Sequence, residues 1–319
     1  MKGTIVKTRG IALTLATACM FGLGTVLGKL ATASLHPLLV TFLNFLLGGI
    51  LLLLFLSMRR ISLRTNLKRD DWMNVLLVSV LGTALPACCV IIGLGLTSAI
   101  KAGFLLQFQG ISSILFAVIF LHEKLNRKQI AGILLLLLGS ALVVIKNMQT
   151  SVWGSLNIGD GLVLLGALGF GYAILPSKQL APKIDSLPLI VWKLLISALV
   201  VLPILATRQA VIPPHISSAL YWIMPIYIIS NFCIAYVTQQ ESLKYLQGWE
   251  AATVMQSMPI FSTIFAILLL GDSLSLLQIS GGMIALAGGC VVALTATQRA
   301  ATKKRVVIPQ EAPQEGILH

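Results

Sequence analysis

Charge is what this sequence has least of. Only 10% of its 319 residues are Asp, Glu, Lys or Arg, against about 25% in an ordinary soluble domain, which excludes a soluble enzyme and a disordered chain. Acid is scarcer still, with 10 Asp and Glu against 23 Lys and Arg. The five cysteines (Cys19, Cys88, Cys89, Cys233, Cys290) lie inside apolar runs, with no metal-ligand spacing and no disulfide framework. They read as small buried hydrophobes. The four histidines (His36, His122, His215, His319) are scattered over loops and one end, so no catalytic or metal cluster is expected. There is no H-E-x-x-H, G-x-S-x-G, P-loop or dinucleotide fingerprint, and no cofactor or metal is called for. N-x-S/T acceptors are missing too, which fits a prokaryotic membrane.

What the chain has instead is hydrocarbon. Fifty-seven per cent of it is hydrophobic, gathered into runs near the ~20 residues that one bilayer-spanning helix needs. The runs fall at about 10–31, 38–57, 72–93, 98–121 and 128–146, then at about 159–180, 187–206, 218–240, 248–270 and 276–296. The first could be taken for a signal peptide, with Ala31-Thr32-Ala33 as its cleavage site. It is longer than such a segment and carries Lys29 just before that site, so it reads as a first transmembrane helix.

The net charge of +13 raises the question of a nucleic-acid partner. No basic patch is interleaved with exposed aromatics, and none is expected. With the N-terminus inside, the even connections hold Arg59, Arg60, Arg64, Lys68, Arg69, Lys124, Arg127, Lys128, Lys183 and Lys244, while the odd ones hold little beyond Lys146 and Arg208. Cytoplasmic loops concentrate Lys and Arg in this way, which predicts both termini in the cytoplasm of a prokaryotic plasma (inner) membrane.

Shifting the sequence by 149 positions aligns 99–145 with 248–294 without a gap, with 14 identities in 47 columns. Gln107 falls on Gln256, Phe116 on Phe265, Gln129 on Gln278, Gly132 on Gly281 and Gly139 on Gly288. The same shift sets Phe21-Gly22 on Phe170-Gly171 and Lys29 on Lys178. Five spans per half is an odd number, so the second half enters the membrane upside down. The expected fold is an all-α polytopic membrane protein of ten transmembrane helices, built as two inverted five-helix repeats. The repeats run over 1–146 and 159–297, joined by an outer connection at 147–158 and followed by a disordered cytoplasmic tail at 298–319. Such repeats are a signature of secondary transporters, with the substrate site between them. Asn126 with Gln129 and Ser275 with Gln278 are spaced as capping boxes opening the fifth helix of each half. Gly110 and Pro259 are equivalent points where the fourth helices can bend or open.

The paired starts LTLATACMFGLGTVLGK and LLGALGFGYAILPSK, with the paired ends ILFAVIFLHEKLNRKQIAGILLLLLG and TIFAILLLGDSLSLLQISGGMIALAG, resemble the drug/metabolite transporter superfamily of EamA type. The resemblance covers about residues 10–296. The Gly-Glu pair usual in that family after the fourth helix of each half is His122-Glu123 and Gly271-Asp272 here, and the often basic position of the second helices holds Asn44 and Lys193. The resemblance implies a ten-helix exporter of amino acids or other small metabolites.

Ionisable groups inside spans are costly and point to function. Lys29, Lys101, Lys178, Lys193, Lys244, Glu241 and Glu250 qualify. Topology puts Lys29 and Lys101 near the outer face and Lys178, Lys193, Glu241 and Glu250 near the inner one. Glu241 and Glu250 with Lys178 and Lys193 then form an inner network, as a gate or as a grip on charged cargo. Lys29, Lys178 and Lys244 read more simply as side chains reaching the headgroups. Lys193 is about two turns into its helix, some 9 Å. Glu250 is the candidate carrier of a coupling proton, and Glu250, Thr253 and Ser257 share one helical face. Gln107 and Gln256 face the cargo from both halves, or else glue helices together. Tyr172, Trp192, Asn231, Tyr236, Tyr245 and Trp249 read mainly as interfacial belts, and Gly24-x-x-x-Gly28 as close helix packing. The substrate-binding or gating set is thus Lys101, Gln107, Lys193, Glu241, Glu250, Thr253, Gln256 and Ser257. The partners are the bilayer and a small molecule, amino acids first. An organic-anion or sugar-nucleotide exchanger is the alternative cargo class, and a membrane enzyme or sensor the alternative of another kind.

Overall fold

The computed structural model describes residues 2–63, 67–106, 108–121, 127–144, 157–180, 182–207, 218–246, 251, 254–255 and 257–306. All regular structure among them is helical. The first half supplies α1 (Lys2–Thr32), α2 (Pro37–Met58), α3 (Arg69–Leu96), α4 (Ala99–Leu105), α5 (Phe108–Leu121) and α6 (Arg127–Val144). The second supplies α7 (Ile158–Tyr172), α8 (Ile174–Leu180), α9 (Ser186–Thr207), α10 (Leu220–Tyr245), α11 (Met258–Leu270) and α12 (Leu276–Val306). Six stretches are long and apolar enough to cross a bilayer: Thr8–Thr32, Pro37–Met58, Arg69–Leu96, Ile158–Ser177, Ser186–Ala206 and Leu220–Tyr245. Met258–Leu270 and Leu276–Val291 are shorter apolar helices. Outward faces carry Leu134, Leu199, Trp222 and Leu268, each at least 60% exposed. Water would not tolerate so much open apolar surface, and hydrocarbon does. The protein is an all-helical membrane protein.

Several helices break where the sequence gives them reason to. The expected span 98–121 divides into α4 and α5, with Leu106 as the C-cap of α4, one turn ahead of Gly110. In the second half α11 opens at Met258 with Pro259 in its first turn, where a missing N–H leaves nothing unpaired. It closes on Gly271 at φ +67°, a left-handed C-cap suited to glycine. Ser275 and Gln278 form the expected capping box, Gln278 N–H donating to Ser275 Oγ at 3.2 Å and Ser275 N–H to Gln278 Oε1 at 3.1 Å. Asn126 lies outside the described residues. The last helix, expected to end near 296, runs on to Val306.

The third helix of each half carries a π segment, Val80–Ala84 in α3 and Ile228–Ala235 in α10. The 149-residue shift lays Val80 on Ile229 and Ala84 on Cys233, so the two widened turns are repeat mates. The packing repeats as well. The second helices pair, α2 against α9, and the fifth helices pair, α6 against α12. α1 lies against α10 and α11, and its mate α7 lies against α3 and α5. The halves therefore meet through contacts that occur twice, once in each sense.

Two close contacts sit at the two ends of the bundle. A methyl group added at Gly10, near the start of α1, would come within 2.7 Å of Leu246 Cγ at the end of α10. Its mate Gly159, in the first turn of α7, is as tightly set: an added methyl group would lie 2.7 Å from Leu96 Cβ and 2.8 Å from the Gly93 carbonyl oxygen of α3. Glycine at both positions lets the helices come this close.

Candidate functional site

Between the halves lies a cavity of about 130 Å³, an order of magnitude above the ~10–15 Å³ that admits one water. Repeat mates line it in pairs, including Phe21 with Phe170, Gly24 with Ala173 and Gln109 with Met258. Their chemistry is not paired. Asn231, Tyr236, Gln239 and Gln240 line it from α10, and their mates Gly82, Ala87, Val90 and Ile91 line it from α3. Thus one half presents an amide, a phenol and two further amides where the other presents hydrogen or hydrocarbon. Tyr227 and Lys193 add a second phenol and an ammonium from the same second half. Among the described residues lining the cavity, Lys193 is the only one with a formal charge.

Local structure explains these placements. Asn231 sits in the π segment of α10, where the extra residue per turn re-aims side chains, a use π turns often have near function. On α1, Gly24 leaves room for it, since a methyl group there would meet the Asn231 amide. At Gly28 the same addition would come within 3.0 Å of Tyr227 Oη. The Gly24-x-x-x-Gly28 stretch therefore makes space for cavity side chains as well as for packing. Lys193 is 7% exposed, and its Nζ lies 4.1 Å from the centroid of the Tyr236 ring, a cation–π arrangement. That ring is held edge-on by Phe21 (5.6 Å, 87°) and lies 5.7 Å from Phe232.

At the end of the bundle where α1 begins, Glu241 accepts from Ser186 Oγ at 3.0 Å and Tyr245 Oη at 3.3 Å, and pairs with Lys244 at 2.9 Å. Lys244 reaches Asp185 at 3.9 Å, Lys183 pairs with Asp71, and the Arg9 guanidinium lies 5.1 Å over the Tyr245 ring. Thr17 and Thr238 share a 2.8 Å hydrogen bond between α1 and α10. At the other end Asp160, 2% exposed, closes a capping box with Asn157 at the start of α7. It accepts from Thr97 Oγ1 and pairs with Lys101 at 3.7 Å. Asn157 Nδ2 donates to the Leu96 carbonyl at 3.1 Å, and Lys29 Nζ donates to the Thr97 carbonyl at 2.7 Å and the Gly95 carbonyl at 3.3 Å.

The structure divides the expected site set. Lys193 lies in the cavity, whereas Glu241 belongs to the ion cluster at one end, so the two are not parts of one network among the described residues. Lys101 belongs to the cluster at the opposite end. Ser257 precedes α11 and spends its hydroxyl on the Val254 carbonyl at 2.7 Å. Gln107, Glu250, Thr253, Gln256, Glu123 and Trp249, and the side chain of Lys178, lie outside the described residues. Lys29 and Lys244 do not simply reach for headgroups: each binds protein groups at a helix end. Of the aromatic and amide residues read as belts, Asn231 and Tyr236 line the cavity, Tyr172 packs edge-on against Phe116 and Trp192 against Trp72. Sequence reasoning missed Tyr227, Gln239, Gln240, Asn157 and Asp160. The signals were present, as a Gln-Gln pair opposite Val90-Ile91 and an N-x-x-D capping box.

Comparison with known proteins adds three findings. The model of the EamA-like transporter family matches residues 8–145 and again 157–294. Among curated relatives, a probable amino-acid metabolite efflux pump of Salmonella typhimurium is 27% identical over 86% of this chain and 92% of that protein. An S-adenosylmethionine/S-adenosylhomocysteine transporter of Chlamydia muridarum is 25% identical over 84% and 86%, and an uncharacterized transporter of Methanothermobacter thermautotrophicus 23% identical over 84% and 81%. One solved crystal structure superposes with a TM-score of 0.65 at 16% identity, covering 93% of this chain and 98% of that one, a likeness of fold alone.

Proposed function

The chain belongs to the EamA-like transporter family, a family of transporters rather than enzymes, and on that premise we propose that it exports amino acids or similar small polar metabolites as a ten-span secondary transporter working by alternating access. The observation that carries this reading is the cavity at the meeting of two repeated halves, with a close helix contact at each end of the bundle. Alternating access requires a central site and two closures that open in turn. The contact of Gly10 with Tyr245 and the contact of Gly159 with Leu96 are mates under the repeat, so each is suited to open while the other holds. The Lys and Arg bias assigns the Gly10 end, with both chain termini, to the cytoplasm of a prokaryotic inner membrane, and Glu250 is the residue proposed to carry a coupling proton.

On this reading Glu241 and Lys244 belong to the inner closure and Lys101 and Asp160 to the outer one, while Lys193 belongs to the cargo site. Amino acids come first as cargo because the Salmonella relative is named for them. The test is transport by the purified chain in liposomes, with labelled amino acids and organic anions presented with and without a pH gradient. Saturable flux that an opposing gradient alters is the expected result. No flux of any member of that panel, in vesicles where the chain is monodisperse before reconstitution, would refute the proposal.

A further inference from the structure

We propose that Lys193 is the carboxylate anchor of the cavity, and that the cargo is a small amphiphile bound in one sense, carboxylate toward the second half and apolar body toward the first. This rests on the export reading above and narrows its cargo to small acids and amino acids with an apolar side chain.

Lys193 is 7% exposed, and among the described residues no carboxylate lies within ion-pairing distance of its Nζ. Its Nζ lies 4.1 Å from the centroid of the Tyr236 ring. A ring face returns only part of what an ammonium loses on leaving water. The remainder falls to whatever enters the cavity, and an incoming carboxylate completes the pair where the surroundings are driest. Phe21 and Phe232, in contact with Tyr236, hold the ring and so fix the place from which the ammonium is offered.

The repeat then gives the direction. The mate of Lys193 in the first half is Asn44, 1% exposed and uncharged, so the anchor exists once. Asn231, Gln239 and Gln240 bring donors and acceptors on the anchor's own side, in reach of a second polar group such as an α-amine. Across the cavity the α3 wall, at Ala87, Val90 and Ile91, presents only hydrocarbon, and the first half's polar lining residues are the uncharged Thr25 and Gln109. A molecule polar throughout would leave that wall unmatched, and a purely apolar one would leave the ammonium unpaired.

The test uses the full chain in proteoliposomes, with uptake of labelled phenylalanine and leucine against internal unlabelled compound. Unlabelled phenylalanine, phenylpyruvate and phenethylamine compete in turn. The three share an aromatic body and differ in carrying both charges, the carboxylate alone or the amine alone. Wild type is expected to favour the two carboxylates over the amine by tenfold or more. Lys193→Gln is expected to bring that ratio to about one, and Lys193→Arg to keep most of it. Equal competition by phenethylamine in the wild type overturns the anchor while leaving the transporter intact, as does an undiminished ratio in Lys193→Gln. The wild-type ratio decides even if Lys193→Gln fails to assemble. Absence of wild-type uptake of both amino acids, with flux of another member of the liposome panel, overturns the narrowing to apolar cargo and leaves export standing, whereas absence of all flux overturns the export reading beneath it.

Discussion

Replacing Gly159 by Ala is expected to tilt the balance between the two closures. The added methyl group would sit 2.7 Å from Leu96 Cβ and 2.8 Å from the Gly93 carbonyl oxygen. Ordinary contact begins near 3.4 Å, so α7 and α3 would have to part by about 0.7 Å at this point. Neither obstacle is the far end of a flexible side chain, so the helices must give. Overpacking of this kind costs typically 1–3 kcal/mol, borne only by the state in which this end is closed. At about 1.4 kcal/mol per factor of ten, the ratio of the two states shifts roughly 5- to 150-fold toward opening at the Gly159 end. Gly10→Ala is expected to shift it the other way and by less, because the methyl group there meets Leu246 Cγ and Cδ2, a side chain able to rotate. The assay is labelling of Ala87→Cys in the cavity, with the five native cysteines replaced, by a membrane-impermeant maleimide in vesicles of each orientation. Gly159→Ala should raise labelling from the outer side and Gly10→Ala from the inner side. Shifts in the same direction, or none beyond twofold for Gly159→Ala, would refute the assignment of these contacts as opposed closures.

Other expectations follow from single contacts. Asp160→Ala strips a buried carboxylate from Lys101, Thr97 and the Asn157 cap together, and should cost about 3–5 kcal/mol, read as a lowered unfolding midpoint in mild detergent, with Asp160→Asn losing less. Ser275→Ala removes one half of a capping box and should cost about 1 kcal/mol in the same measurement while leaving transport unchanged. Gly24→Val places a side chain where the Asn231 amide lies, and should reduce uptake at least tenfold with the unfolding midpoint less affected than in Asp160→Ala. Reporter fusions should place position 150 outside and position 310 inside, a green fluorescent protein glowing at the latter and alkaline phosphatase active at the former.

Much of the frame was legible because it is written in periodic signals. Long apolar runs, Lys and Arg asymmetry and a gapless 149-residue shift need no knowledge of contacts. The Ser275–Gln278 box was equally local. The site was less legible, since a cavity is a long-range object. Lys193 stood out because charge in a span is conspicuous. Gln239 and Gln240, near the end of theirs, resembled any polar residues approaching an interface. The expected union of Glu241 with Lys193 failed for a related reason. Glu241 and Lys244 are one helical turn apart and meet as i, i+3 neighbours, a local pairing that satisfied the carboxylate before any distant lysine could.

The mismatch between a repeated frame and an unrepeated lining bears on how such a chain can change its trade. A duplicated sequence holds two copies of each wall position, and helix packing constrains both, yet of the third spans α3 and α10 only α10 carries polar groups at these positions. The plain copy at Ala87, Val90 and Ile91 is therefore a set of positions that drift or design can refit while the working set stays in service. Introducing Gln at Val90 would furnish a second grip facing the first, turning a holder of one-headed molecules into a holder of two-headed ones. New specificity would arise by furnishing the idle half, with no period in which the old cargo is lost.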